Sequence, residues 1–145
     1  MSAYSFLDVT ASFTGPTGAF DLGAGSANSE EGITVTMTEA KNTMTVGADG
    51  EVMHSLHAGK SGTITVTLLK TSPVNKQLSL AYNAQSLSSS LWGNNVIVIR
   101  NHVSGDTTTA RTVAFQKQPD HANAKVGATV SWVFDCGKID QLLGE

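Results

Sequence analysis

The chain has 145 residues and a formal net charge of −3, and only 14% of its residues are charged, against an abundance of Gly, Ser, Thr and Asn. That length predicts a single domain over residues 1–145, long enough to bury a core without staples. The thin charge, without any basic run, excludes an electrostatic footprint for gripping phosphates, and no apolar run approaches the length of a membrane helix.

The opening residues, "MSAYSFLDVTAS", lack both the basic and the long apolar region of a leader, so a chain made and kept in the cytoplasm is expected. Period-two alternation then dominates, which argues for an antiparallel sheet protein. Predicted strands are Phe6 to Phe13, Ile33 to Thr38, Thr43 to Val46, Glu51 to His57, Thr63 to Leu69, Asn95 to Asn101, Thr108 to Gln116 and Thr129 to Asp135. Gly15 to Gly32, rich in glycine and small polar residues, predicts a long loop with at most a short strand around Phe20.

"NTMTVGADGEVMHSLH", Asn42 to His57, predicts a hairpin. With Asp49 and Gly50 as the central turn residues, Val46 falls opposite Met53 and Met44 opposite Ser55. Met44, Val46, Val52, Met53 and Leu56 are too apolar for an arm free in water. Two readings follow: the hairpin packs on its own core, or it is an interlocking arm between subunits.

The next strand, in "SGTITVTLLKTSPVN", alternates Ile64, Val66 and Leu68 with Thr63, Thr65 and Thr67 and carries no charge before Lys70. A solvated sheet face ordinarily carries Lys and Glu, which keep strand edges from pairing with other chains. One helix follows. Ser72 is placed to cap it, Pro73 suits its first position, and Val74, Leu78 and Tyr82 recur at four-residue spacing, with Leu80, Ala84, Leu87 and Leu91 extending an apolar face toward Gly93. That reading gives a helix of about four turns. The tail "KIDQLLGE" fits either the end of a strand or the start of a short helix. The fold class is therefore mostly β: an antiparallel sandwich or barrel with one flanking helix and a hairpin arm.

The chemical signals are thin. "AGKSGT" has the tail of a phosphate-binding loop, but His54 stands where its first glycine belongs and a strand follows in place of a helix. On a strand His54 and His57 point to opposite faces, and His102 and His121 fall in separate loops, so no metal site is expected. Glu30 and Glu31 are read as a solvated edge of the glycine-rich loop. Cys136 is the only cysteine, which forbids an internal disulfide and predicts a half-buried structural thiol. Trp92 and Trp132 are read as packing anchors. No catalytic, cofactor or metal residue is assigned.

Taken together, "YSFLDVTASFTGP", "EEGITVTM", "KNTMTVGADGEVMHSLHAGKSGTITVTLLKTSPVN", "YNAQ", "LWGNNVI", "SGD" and the closing "KIDQLLG" resemble the tail tube proteins of contractile-tailed bacteriophages, over nearly the whole chain. The resemblance implies a small β-sandwich with a flanking helix that assembles into six-membered rings stacked as a tube. It also implies sheath, baseplate and tape measure proteins as partners, transient passage of DNA, and a place in the virion tail after assembly in the host cytoplasm. By position, Asn42 to His57 resembles the arm that contacts neighbouring subunits. Thr34, Thr36, Thr38, Thr63, Thr65 and Thr67 become candidates for the lumen face, where a polar surface without positive charge lets phosphates slide past. The same residues fit the tube of a phage-derived bacteriocin or secretion system, and the bare alternation fits a monomeric β-sandwich that binds a ligand.

Overall fold

The computed structural model describes residues 3–144, the side chains of residues 29–31 excepted; the reading of Glu30 and Glu31 as a solvated edge concerns side chains outside the described residues. A 3-10 turn at Phe6–Asp8 leads into β1 (Val9–Gly15), β2 (Gly18–Asp21), β3 (Asn28–Met37), β4 (Asn42–Val46), β5 (Val52–Leu56), β6 (Gly62–Leu69), helix α1 (Val74–Gln85), β7 (Asn95–Asn101), β8 (Thr107–Phe115) and β9 (Thr129–Leu142). Seven strands form one antiparallel sheet in the order β2-β1-β7-β8-β9-β6-β3, while β4 and β5 form a ribbon of their own. The mostly β architecture with one helix and one hairpin is as the alternation predicts.

Among the strands, two elements differ from that reading, and the alternative left open for the tail is decided. The first strand begins at Val9, because the Ser5 hydroxyl accepts from Leu7 N–H at 3.2 Å and its carbonyl accepts from Asp8 N–H, which winds a 3-10 turn first. The glycine-rich stretch holds not only β2 around Phe20 but also the first half of β3, across a register shift between Asn28 and Ile33 with Gly32 at φ +60°. And β9 carries the tail on as strand to Leu142, paired with β8 down to Thr107.

β9 hides its length by changing face. Trp132, Phe134 and Cys136 are buried, and then Ile139; on β8 the buried residues are Ala110, and then Val113 and Phe115. Thr108 is buried in phase with Ala110, and both strands change phase where Thr112, at φ +55°, lies against Gly137. A Cβ on Gly137 would come within 2.9 Å of Thr112 Cβ, so a side chain there has no room. Such a corner bends a sheet sharply.

The bend lets the sheet curl round its own core. β1 and β9 are three places apart in the sheet order, about 14 Å in a flat sheet. Yet the ring centroids of Phe13 and Phe134 lie 5.6 Å apart, and Phe13 also stacks on Phe20 at 4.9 Å. Ile64, Val66 and Leu68 of β6 and Val74, Leu78 and Ala81 of α1 complete that core.

The helix starts as its sequence predicts: Pro73 is in the helical region at φ −68° and the Ser72 hydroxyl accepts from Val74 N–H at 3.3 Å. It ends earlier, at Gln85, with a buried stripe of Val74, Leu78, Ala81 and Gln85; Leu80 and Leu87 face solvent. The reason is Gln85 itself, fully buried together with Asn95. Gln85 Nε2 donates to Asn95 Oδ1 and Asn95 Nδ2 donates to Gln85 Oε1, each at 2.8 Å. The remaining amide hydrogens reach Thr17 Oγ1 at 3.0 Å and the Val113 carbonyl at 3.0 Å. Bringing Asn95 back to Gln85 requires the chain to leave the helix and turn, which it does with Gly93 at φ +82°.

Asn95→Ala leaves Gln85 Oε1 unpaired in a dry interior and takes the donor from the Val113 carbonyl, which is expected to lower stability by about 3 kcal/mol. Urea unfolding of Asn95→Ala, Gln85→Ala and the double variant checks this, with a coupling above about 1 kcal/mol expected. Additive losses would show that the pair does not act as a unit.

Candidate assembly surfaces

The hairpin departs from its expected register by one residue. Val46 pairs with Val52, Thr45 with Met53 and Met44 with His54. Gly50 N–H donates to Gly47 O at 3.0 Å, so Ala48 and Asp49 are the central turn residues and Gly50, at φ +90°, follows them as a glycine bulge. Asp49 Oδ1 accepts from Glu51 N–H at 3.1 Å and holds this turn.

A one-residue slip changes which side chains share a face. Met44, Val46, Val52 and Leu56 lie together with Asn42 and His54; Met53 lies on the other face with Thr43, Thr45 and Ser55. The ribbon does not fold back on the core: Met44 is 57% exposed, Met53 60% and Leu56 82%. Its root is firm. His57 N–H donates to Lys41 O at 2.9 Å, Ile139 N–H donates to Lys60 O at 2.8 Å, and Lys60 Nζ reaches Asp140 at 3.1 Å, where Arg111 also binds at 2.8 Å. The hydrogen bond and charge of Lys60, and then Arg111, hold the Asp140 carboxyl below its ordinary value. That anchoring is therefore present above the ordinary carboxylate pKa and is lost as the pH falls through the depressed one.

The candidate threonines are placed by register. Thr34 pairs with Thr65 and Thr36 with Thr63; on the other side of β6, Thr63, Thr65 and Thr67 pair with Asp135, Val133 and Ser131. Since Ile64, Val66 and Leu68 between them are buried, this threonine face is turned away from the core and α1. None of these cross-strand rows contains Lys or Arg. Thr38 lies just past β3, its N–H on Ser61 O at 3.0 Å. Thr67 differs from the rest: it is 7% exposed, with its hydroxyl 3.4 Å from Ser131 Oγ. β3 is also the last strand of the sheet, and its Ile33–Met37 stretch carries no charge to guard that edge.

The other chemical candidates have structural partners. His54 and His57 do face opposite ways, His54 Nδ1 to Asn42 at 3.2 Å and His57 Nε2 to the Thr43 hydroxyl at 2.7 Å. Among the described residues, no three His, Cys, Asp or Glu side chains converge as a metal site would need. The "AGKSGT" lysine is the one paired with Asp140, and the segment runs straight into β6. Trp132 is buried with its Nε1–H on Asn75 Oδ1 at 3.1 Å, and Trp92 packs edge-on to Tyr82. Cys136 is fully in the core, deeper than half-buried, and burial pushes its thiol up to about 11.

The sequence matches the family described as "Bacteriophage PhiTE tail tube protein" over residues 1–144. No curated protein matches it significantly. The fold is similar to a chain in the sheath/tube terminator of an extracellular contractile injection system, PVC, in its extended state, with a TM-score of 0.63 at 10% identity over 98% of each chain. It is also similar to a chain in the PVC sheath-tube complex, with a TM-score of 0.58 at 9% identity over 98% of this chain and 93% of that one. A chain in the baseplate of the anti-feeding prophage gives 0.52 at 16% identity over 98% and 96%. At such identities the likeness is one of fold.

A buried thiol with a raised pKa is inert. Cys136 is expected to ignore a thiol-reactive dye in the native protein at pH 8 and to react fully in denaturant; rapid native labelling would place it at the surface.

Proposed function

The chain belongs to the bacteriophage PhiTE tail tube protein family, and from that premise we propose that its work is assembly: copies close into six-membered rings, and the rings stack into the conduit for genome delivery. The observation that carries this reading is the ribbon of β4 and β5, which leaves Met44, Val46, Val52 and Leu56 uncovered on a chain whose other strands close round one core. Burying the exposed part of each such side chain is worth roughly 1 kcal/mol. That gain offsets part of the freedom each copy loses on joining the ring.

In this reading the free edge of β3 pairs with the sheet of a neighbour, which removes the edge and builds a wall. The face of Thr34, Thr36, Thr63 and Thr65, with Thr38 beyond and Thr67 set deeper, then lines the lumen. Lysine or arginine there would bind phosphates and retard DNA, whereas threonine keeps the strand propensity and stays neutral. Sheath, baseplate and tape measure proteins are the partners of such a tube, the virion tail its place and the host cytoplasm its place of assembly. Neither catalysis nor a membrane has a part in it.

A second reading is favoured by the structural neighbours, which come from contractile injection systems: the same tube would then carry protein cargo in a bacteriocin-like or secretion device. Nuclease treatment of purified particles separates the two, since only a phage yields protected genomic DNA.

Negative-stain microscopy with light scattering over a concentration series is expected to show rings or tubes above a threshold concentration. The Met44→Glu, Val46→Glu double variant should stay monomeric with an unchanged melting temperature. A wild-type monomer at every concentration would contradict self-assembly and favour a ligand-binding module. For the lumen face, Thr65→Lys particles should assemble but release DNA more slowly; an unchanged release rate would place that face elsewhere.

A further inference from the structure

The turn that fixes the ribbon is also the place where the main chain is open to attack by itself. Asp49–Gly50 is the one Asp–Gly step of the chain; each of the other six aspartates is followed by a residue with a side chain, and no asparagine precedes a glycine. Residues 47–51 are all exposed. Asp49 Oδ1 accepts from Glu51 N–H at 3.1 Å and lies 3.1 Å from where a Cβ on Gly47 would stand, so the side chain is folded back over the Gly50 peptide. Its carboxyl carbon then faces the Gly50 nitrogen, and a bond between them closes a five-membered ring. Gly50 leaves that approach clear. It has no Cβ, and apart from its chain neighbours no atom comes within 4 Å of where one would be. Holding two reacting groups together in this way removes much of the entropic part of a barrier.

We propose that Asp49–Gly50 is a site of spontaneous covalent modification, at which the folded turn presents the Gly50 nitrogen to the Asp49 carboxyl and the chain is rejoined as isoaspartate. In the first step the bond from nitrogen to Cγ forms. The nitrogen gives up its hydrogen, the carboxyl in its acid form gives up its hydroxyl, and the two leave as water. In the second step water adds to the ring. Opening at Cγ restores aspartate; opening at the main-chain carbonyl carbon leaves Gly50 joined through Cγ, with the α-carboxylate as the new side group. One water leaves and one enters, so the mass is unchanged and nothing is oxidised or reduced.

The product lengthens the main chain by one methylene at the tightest point of the ribbon. The Asp49 side-chain carbonyl becomes part of the main chain and no longer holds Glu51, and the added carbon parts Gly50 N–H from Gly47 O, which it meets at 3.0 Å. Those two bonds hold the turn with Gly50 at φ +90°, a conformation open to glycine. The turn in turn sets the pairing of Val46 with Val52, and a slip of one residue moves every side chain to the other face. An aged chain therefore loses the common face of Met44, Val46, Val52 and Leu56. This chemistry belongs to the single chain and does not rest on the tube reading.

The test holds the purified protein warm at mildly acidic pH in heavy-oxygen water, with and without urea. Trypsin then releases Asn42 to Lys60 as one peptide, whose isoaspartyl form is resolved by chromatography, weighed for label and confirmed with an isoaspartate methyltransferase. Asp49 is expected to convert at least about tenfold faster than any other aspartate, the ratio given by a barrier lower by about 1.36 kcal/mol, and as fast in the native protein as in urea. Asp49→Asn should close the same ring with loss of ammonia, while Gly50→Ala, at the exposed tip, should slow conversion at least about tenfold. Asp49→Glu should give no isoaspartate. Hydrogen exchange of the ribbon amides, Asn42 to Leu56, should be faster in the converted chains than in fresh ones.

Conversion confined to the unfolded chain, or spread evenly over the aspartates, would overturn the proposal, since the turn would then shield the site or play no part. Conversion at Asp49 with unchanged exchange would overturn the predicted loss of the ribbon face. Neither result touches ring formation, which the microscopy decides.

Discussion

A pair of side-chain amides, Gln85 and Asn95, is the constraint on which the rest of the chain turns. Both are fully buried, and a buried amide must find partners or cost the fold most of its margin. Their mutual hydrogen bonds stop α1 at three turns, start β7 at one residue and no other, and reach Val113 where β7 and β8 change register. Gly15 belongs to the same knot: a Cβ there would sit 1.9 Å from Asn95 Oδ1. Helix end, strand start, bulge and turn are thus one device.

The Thr112 and Gly137 corner is the second device, and it decides what the fold leaves open. By bending β8 and β9 together it lets seven strands enclose one aromatic core from a single curled sheet. A curled sheet that does not close keeps two edges, β2 and β3, and the longer of them carries the neutral threonine strand pattern. The connection between β3 and β6 leaves the curled sheet altogether as the ribbon. What the chain does not satisfy within itself is therefore grouped: an edge and an apolar arm.

This grouping gives the scarcity of charge a physical sense. In the proposed tube, surfaces that meet copies of the same chain gain from apolar and neutral polar groups and lose from unpaired charges, which must be desolvated on contact. Where charge does cluster, at Lys60, Asp140 and Arg111, it pins the root of the arm and is half exposed.

The sequence alone determined most of the strands, the start of the helix and the existence of the hairpin, because alternation, the Ser72–Pro73 start signal and a glycine turn are properties of neighbours along the chain. It also grouped Thr34 with Thr36 and Thr63 with Thr65, since each strand keeps its own parity, while the register of β3 on β6 put the two pairs on one face. The register of the arm was not legible: Asp49–Gly50 reads as a two-residue turn, and only the positive φ of Gly50 after Ala48 and Asp49 moves Met53 to the far face. Nor was the reach of β9, whose alternation changes phase at Gly137, or the end of α1, whose apolar pattern continues through Leu87 after the helix has stopped. The hollow lined by Ile33, Ile99, Asp106 and Leu143 joins segments far apart in sequence and has no local signature. Periodicity reports which residues share a face; only the folded chain decides which faces are covered, because burial depends on elements that meet across the whole sequence.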